Sequence, residues 1–125
     1  MWLTWAAIAF AIGRALIGLA PIFAPRLSAR LTGFPAEHDN PTARLMGRLF
    51  GVRDIALGVL VASCLKDREL LRWTFLFNLA IDLADASMIA IPLVRRQGID
   101  RGAGLSIGFA LAGATGWTLL WVLSR

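Results

Sequence analysis

The stretch that decides the fold runs from Gly102 to Ser124 and reads GAGLSIGFALAGATGWTLLWVLS. It contains 23 residues and no charged side chain. As an α-helix it would be about 34 Å long at 1.5 Å per residue. The hydrocarbon core of a bilayer is about 30 Å thick, so the segment is long enough to cross it. The segment therefore predicts a transmembrane helix.

Three further segments come close to this one in length and apolar character, but each is interrupted by a few charged residues. They run from Trp2 to Ala24, from about Thr42 to Leu65 and from about Leu71 to Val94. The chain of 125 residues is 58% apolar, whereas a soluble domain is about 45–50% apolar. We therefore predict an all-α membrane protein in which residues 1–125 form one integral membrane domain, a bundle of four transmembrane helices.

The connection between the first and second segments predicts a short helix in the membrane interface. The stretch from Arg26 to Phe34 places Leu27 and Leu31 on one face and its arginines away from that face, as interfacial helices do. Asn40 followed by Pro41 is typical of a helix start, with an N-cap and a proline at the first helical position. The second long helix should therefore begin there.

Tryptophans and arginines give the expected placement in the membrane. Every tryptophan lies toward the end of a segment, which predicts an aromatic belt at the interface. These residues are Trp2, Trp5, Trp73, Trp117 and Trp121. The first and third loops carry slightly more arginine than the opposite side, which favours a cytoplasmic position for both loops. We expect a bacterial inner-membrane protein.

Several classes of partner and cofactor are disfavoured. The net charge is +5, but the basic residues lie mainly in loops, which suits lipid headgroups better than nucleic acid. Cys64 is the only cysteine, so no internal disulfide can form. Glu37, His38 and Asp39 lack the spacing of a metal site and are interpreted as a solvated loop. No nucleotide-binding, haem or Ser-His motif is present, so we predict no cofactor, no metal and no nucleic-acid partner.

Small residues recur at helical spacing on two segments. Gly104, Gly108, Ala112 and Gly116 follow one another at intervals of four on the last segment. The second segment carries a similar stripe of Gly47, Gly51 and Gly58. Such stripes let helices approach closely in lipid. Packing within one bundle is the simpler interpretation, and a homo-oligomer joined through the last segment is the alternative.

Four charged residues lie near the middle of three predicted helices, namely Arg14, Arg53, Asp54 and Asp82. Each costs about 2.5–3.5 kcal/mol at the bilayer centre, so four unpaired charges would cost about 10–14 kcal/mol. They must therefore face the bundle interior and meet each other or water.

Arg48 and Asp85 extend this charged layer toward the first and third loops, where they could pair. The alternative for Arg48 is that its long side chain reaches the lipid headgroups. Asn78, Asp82 and Asp85 fall within a sector about 60° wide on one helix face. With Arg14, Arg53 and Asp54 the layer holds three positive and three negative charges. One interpretation is a neutral network that only sets helix register, and the other is a functional site.

The run Gly51-Val52-Arg53-Asp54 resembles the Gly-x-Arg-Asp signature of an uncharacterised family of small four-helix bacterial membrane proteins. The spaced aspartates Asp82 and Asp85 fit that pattern as well. The resemblance implies four helices around a shared polar centre and brings no established activity.

Three functions remain open at this point. The first is cofactor-free acid–base catalysis, of hydrolase or isomerase type, on a small lipophilic substrate. Asp82 and Asp85 would then be the acid–base pair that acts on the substrate. Arg53 would be the bridge between them, and Asn78 would be the orienting group. Asp54 would join them in the catalytic set, and Arg14 and Arg48 would be binding residues. The grouping resembles in its chemistry the Asp-Arg-Asp site of limonene-type epoxide hydrolases.

The second function is a proton or ion relay in an oligomer, and the third is a non-catalytic accessory or lipid-binding subunit.

Overall fold

Every regular element in the computed structural model, which describes all 125 residues, is helical. The helices are α1 (Trp2–Phe23), α2 (Pro25–Leu31), a 3-10 turn (Ala36–His38), α3 (Pro41–Ser63), α4 (Arg68–Val94) and α5 (Asp100–Leu123). The helical class is confirmed, and the four long helices correspond to the four predicted segments. A short helix, α2, also lies where one is predicted.

Side-chain caps explain where two of the long helices begin. The backbone N–H of Ala43 donates to Oδ1 of Asn40 at 2.9 Å, which confirms the predicted start of α3. The start of α4 is earlier than the predicted Leu71. Asp67 Oδ1 accepts from the backbone N–H groups of Glu69 and Leu70, both at 3.0 Å. This cap satisfies free donors of the first turn, so the helix begins at Arg68.

Three helices, α1, α4 and α5, are long and apolar enough to cross a membrane. The fourth long helix, α3, has 23 residues but carries four charges, at Arg44, Arg48, Arg53 and Asp54. Large apolar side chains cover much of the outer surface, and many of them are more than half exposed. A surface of this kind is typical of a protein surrounded by lipid.

The long helices form two antiparallel pairs, α1 with α3 and α4 with α5. Glycines allow the first pair to approach closely. A Cβ atom added at Gly18 would lie 2.5 Å from the backbone oxygen of Gly51, and one added at Gly58 would lie 2.7 Å from that of Ala11. The small-residue stripe of the second segment therefore packs within the bundle, as small residues do between membrane helices.

An apolar core joins the two pairs at the end of the bundle where α1 begins and α5 ends. Trp117 is 1% exposed. Its ring lies 5.1 Å from the ring of Phe10, edge to face, and 6.1 Å from the ring of Phe75. The prediction that Trp117 belongs to an aromatic belt is therefore wrong, because it lies on the face of α5 that meets α1 and α4. Trp2, Trp5 and Trp73 are exposed.

The small-residue stripe of α5 divides into two parts. Gly116 packs under the Phe10 ring, where a Cβ atom would collide with it. A Cβ atom at Gly104 or Gly108 would meet nothing within 4 Å, and Ala112 is exposed. We call Gly104, Gly108 and Ala112 the open glycine face. The four predicted positions therefore do not act as one surface.

Candidate functional site

Charged side chains from three helices meet between the two helix pairs. Arg14 comes from α1, Arg53 and Asp54 come from α3, and Asp82 and Asp85 come from α4. We call these five residues the ionic cluster. The predicted charged layer is thus drawn together in space, as the cost of exposing such groups to lipid requires.

The inner part of the ionic cluster is almost completely buried. Arg14 Nη2 lies 2.8 Å from Asp82 Oδ1 and 3.4 Å from Asp54 Oδ1. These three residues are 8%, 5% and 4% exposed, respectively. Asp54 Oδ1 also lies 3.5 Å from Arg53 Nη2. One carboxylate oxygen of Asp54 is therefore shared by two guanidinium groups.

The outer part of the ionic cluster is more open. Arg53 donates from Nη1 and Nη2 to the two carboxylate oxygens of Asp85, at 2.9 and 2.6 Å. This two-pronged contact is the strongest geometry between arginine and a carboxylate. The side chains of Arg53 and Asp85 are 37% and 23% exposed, and the guanidinium carbon lies 4.7 Å from the centre of the Phe50 ring. The Arg53–Asp85 pair therefore forms an accessible edge.

The five side chains form one continuous ionic chain in the order Asp82, Arg14, Asp54, Arg53 and Asp85. It contains three carboxylates and two guanidinium groups. If every group is ionised, the ionic cluster carries a net charge of −1. Burying an unbalanced charge in an apolar environment is costly, so this excess distinguishes the cluster from a simple neutral network.

The expected pairing of Arg48 with Asp85 is wrong. Arg48 is exposed and forms no ion pair, and Asp85 binds Arg53 instead. The reason is the rotation of α3. At about 100° per residue, Arg48 lies about 140° around the helix from Arg53. The predicted balance of three positive and three negative charges therefore loses one positive charge.

Two further predicted contacts are corrected. Arg53 bridges Asp85 to Asp54, not to Asp82, whose partner is Arg14. Asn78 does not orient an aspartate. Its Nδ2 donates to the backbone oxygen of Thr74 at 2.9 Å, and its buried Oδ1 has no partner. Asn78 shares a helix face with Asp82 but packs within α4, which supplies its only hydrogen bond.

Gly113 of α5 is a part of this site that the sequence did not reveal. A Cβ atom at Gly113 would collide with Asp82 Oδ2, so the absence of a side chain here lets α5 lie directly against the Asp82 carboxylate. Gly113 lies outside the four-residue stripe of α5, and no helical pattern singles it out. Only the packing of α5 on α4 identifies it.

A second ion-pair group closes the loop before α3. Asp39 accepts from Arg44 Nε at 2.7 Å and from Nη2 at 3.0 Å, and Arg26 Nε lies 3.5 Å from Asp39 Oδ2. The hydrogen bond from Arg44 holds the pKa of the Asp39 carboxyl below its usual range. His38 is exposed beside it. Asp39 therefore ties the loop to α2 and α3.

The comparisons with known proteins identify one uncharacterised domain family. No curated protein and no solved structure matches the chain. The model of one protein family, described as Domain of unknown function (DUF4267), matches residues 11–123. That range contains the whole ionic cluster, all of α3, α4 and α5, and the second part of α1. The chain therefore belongs to the DUF4267 family, an uncharacterised domain family, as its resemblance to an uncharacterised family led us to expect.

Proposed function

We propose that this protein is a four-span membrane protein whose ionic cluster performs cofactor-free acid–base chemistry on a small lipophilic molecule. As a helix of 23 residues, α3 is about 35 Å long, which is enough to be the fourth span. Its two most central charges, Arg53 and Asp54, belong to the ionic cluster and are paired. In this proposal the membrane is the bacterial inner membrane, and the loops after α1 and α4 face the cytoplasm.

The observation that carries the proposal is the excess carboxylate. Three carboxylates face two guanidinium groups, so one bound proton makes the ionic cluster neutral. A site in an apolar environment that holds one exchangeable proton among several carboxylates can both accept and return a proton, which is what acid–base catalysis requires.

In this proposal each part of the ionic cluster has its own role. Asp85 lies at the accessible edge and exchanges a proton with the substrate, and Arg53 holds both of its oxygens in position. Arg14, Asp54 and Asp82 form the buried part that holds the balancing charge and the proton. A lipophilic substrate reaches the edge from the bilayer, beside the Phe50 ring. The reaction is of the hydrolase or isomerase type.

The first test is native mass spectrometry of the protein released from lipid nanodiscs. Wild type should carry an additional mass that is not a phospholipid, and Asp85→Asn should lose it while keeping its helical content. Asp100→Asn is the matched control, because Asp100 is exposed and lies outside the ionic cluster. A compound that remains bound to Asp85→Asn at the wild-type level would refute the binding edge.

The second test separates turnover from binding. Membranes that contain the protein are incubated in D₂O or in H₂¹⁸O, and the bound compound is analysed by mass. Isomerase chemistry introduces deuterium from solvent, and hydrolysis introduces ¹⁸O. One of the two labels should appear in the compound bound to wild type and to Asp100→Asn, and Asp85→Asn serves as the blank because it is expected to retain no compound. A bound compound that gains neither label in wild type would rule out catalysis and leave a binding protein.

The open glycine face favours a second candidate function, that of an accessory subunit that associates with another copy of this chain or with a partner. A Cβ atom at Gly104 or Gly108 would meet nothing within 4 Å, so Gly108→Leu should leave the fold intact. In native mass spectra it should abolish an oligomer that wild type forms. An oligomer that persists in Gly108→Leu would exclude this face as the interface.

A further inference from the structure

A basic groove lies far from the ionic cluster, at the end of the bundle where α4 begins and α5 ends. It encloses about 580 Å³. Its charged lining includes Arg68, Arg72 and Arg125, and its aromatic lining is Trp73 and Trp121. Arg72 precedes Asp82 by ten residues of α4, which places the groove about 15 Å along the helix from the ionic cluster.

The arginines of this groove lack acidic partners. None of the three forms an ion pair in the structure. Arg72 Nε is buried without a hydrogen-bond partner. Arg68 donates to the backbone oxygen of Ser124 at 3.2 Å, and Arg125 lies 4.3 Å over the Trp121 ring. Glu69 is the one carboxylate side chain in the lining, so the side chains of the groove carry an excess of two positive charges.

The position of the groove indicates where its ligand lies. Trp73 is exposed beside it, and Trp2 and Trp5 are exposed at the same end of the bundle. Exposed tryptophans at one end of a membrane bundle mark the headgroup level of the bilayer. Guanidinium groups bind phosphate with two parallel hydrogen bonds. The guanidinium groups that line the groove lie at headgroup depth and have no acidic partner, so they match the oxygens of a phosphate.

We infer that this groove binds the phosphate of an anionic phospholipid headgroup. Arg72 and Arg68 contact the phosphate, Arg125 contributes charge from its position on Trp121, and the acyl chains lie along Leu76 and the outer face of α4. The site is separate from the ionic cluster and does not depend on the proposed acid–base chemistry. The excess of two positive charges selects anionic over zwitterionic lipids.

The test uses nanodiscs that contain equal amounts of phosphatidylglycerol and phosphatidylcholine. Native mass spectrometry should show wild type retaining phosphatidylglycerol in preference to phosphatidylcholine. The double variant R72Q/R125Q should bind it about tenfold more weakly, since a charge-assisted hydrogen bond contributes a change of that order. R95Q/R96Q is the control, because it removes the same charge from two exposed arginines at the opposite end.

A second measurement separates the lipid from free phosphate. Dihexanoyl phosphatidylglycerol should raise the melting temperature of wild type in detergent at concentrations where inorganic phosphate does not, and it should not do so for R72Q/R125Q. Equal stabilisation by inorganic phosphate would overturn the lipid assignment. An equal loss of phosphatidylglycerol in both double variants would overturn the site, because it would show a general effect of charge. Far-UV circular dichroism confirms that each variant is folded.

Discussion

Arg14 is the residue on which the buried half of the ionic cluster depends. It is the only cation within 4 Å of Asp82, and it shares Asp54 with Arg53. A buried ion pair adds little stability relative to a well-packed apolar pair. Removal of one partner, however, leaves an uncompensated charge. The effect of removing Arg14 therefore comes mainly from the Asp82 carboxylate, which is left buried without a cation.

Arg14→Gln should lower the free energy of unfolding by about 3–5 kcal/mol. Asp82→Asn in the same chain should restore part of that loss, because it removes the carboxylate that was left without a cation. Urea or SDS titration in micelles, followed by circular dichroism, measures both values. Arg48→Gln, at an exposed and unpaired position, should change the stability by less than about 0.5 kcal/mol. No recovery in the double variant would contradict the Arg14–Asp82 pair.

Gly113 shows how a residue without a side chain contributes to a charged site. Gly113→Ala should lower the stability by about 1–3 kcal/mol, since the added methyl group collides with the Asp82 carboxylate. Gly108→Ala should instead be neutral or stabilising by up to about 1 kcal/mol, because alanine favours the helix and nothing lies near it. The same unfolding titration distinguishes them, and equal effects would argue against close packing of α5 on Asp82.

At the scale of the helix, α3 both packs closely on α1 and carries part of the ionic cluster. One face carries Gly51 and Gly58, which bring α1 into backbone contact. A neighbouring part carries Arg53 and Asp54 toward the ionic cluster. Because α3 packs closely on α1 through glycines, its rotation about its own axis is strongly constrained. That constraint decides which of its charges are buried.

The loop that leads into α3 has a titratable restraint at Asp39. Since the Arg44 contact holds the pKa of Asp39 below its usual range, the contribution of Asp39 to stability is fully present above the unfolded-state pKa of about 3.9. It is lost as the pH falls through the lower pKa of the folded protein. Wild type should therefore lose more stability than Asp39→Asn on acidification below about pH 4.

Thermal unfolding from pH 7 to pH 2.5 in detergent checks this expectation, with the difference between the two proteins as the readout. Asp100→Asn is the control and should follow wild type, because Asp100 forms no ion pair. Identical pH profiles of wild type and Asp39→Asn would show that the Arg44 contact contributes nothing to stability.

The whole molecule consists of two helix pairs held together by two different kinds of contact. At one end, the rings of Phe10, Phe75 and Trp117 pack between the pairs. Near the middle, the ionic cluster links α1 and α3 to α4. The pairs meet less closely than the helices within each pair, so large or charged side chains fill the space between them.

Trp117→Ala should therefore weaken the packing between the two pairs more than a change at any exposed tryptophan does. The free energy of unfolding should fall by about 3–5 kcal/mol, as for other buried aromatic residues replaced by alanine. Trp2→Ala should cost less than about 0.5 kcal/mol, because Trp2 is exposed. Unfolding titrations measure both, and a Trp117→Ala protein as stable as wild type would contradict the position of the core.

The sequence alone determined where the long helices lie. Hydropathy and caps act over a few neighbouring residues, so the segments and the start of α3 at Asn40-Pro41 were predictable. The meeting of Arg14, Arg53, Asp54 and Asp82 was predictable too, because buried membrane charges must find partners. The start of α4 was placed three residues too late, because the Asp67 cap was not recognised.

Only the tertiary structure decided which charges pair. The depth of a residue follows from its position along a helix, but its direction depends on how that helix is rotated against its neighbours. Close contact between Gly18 and Gly51 sets the rotation of α3 and turns Arg48 outward. Contact between α4 and α5 buries Trp117 and places Gly113 on Asp82. These contacts join residues far apart in the chain, so no local pattern could reveal that the ionic cluster lacks a third cation.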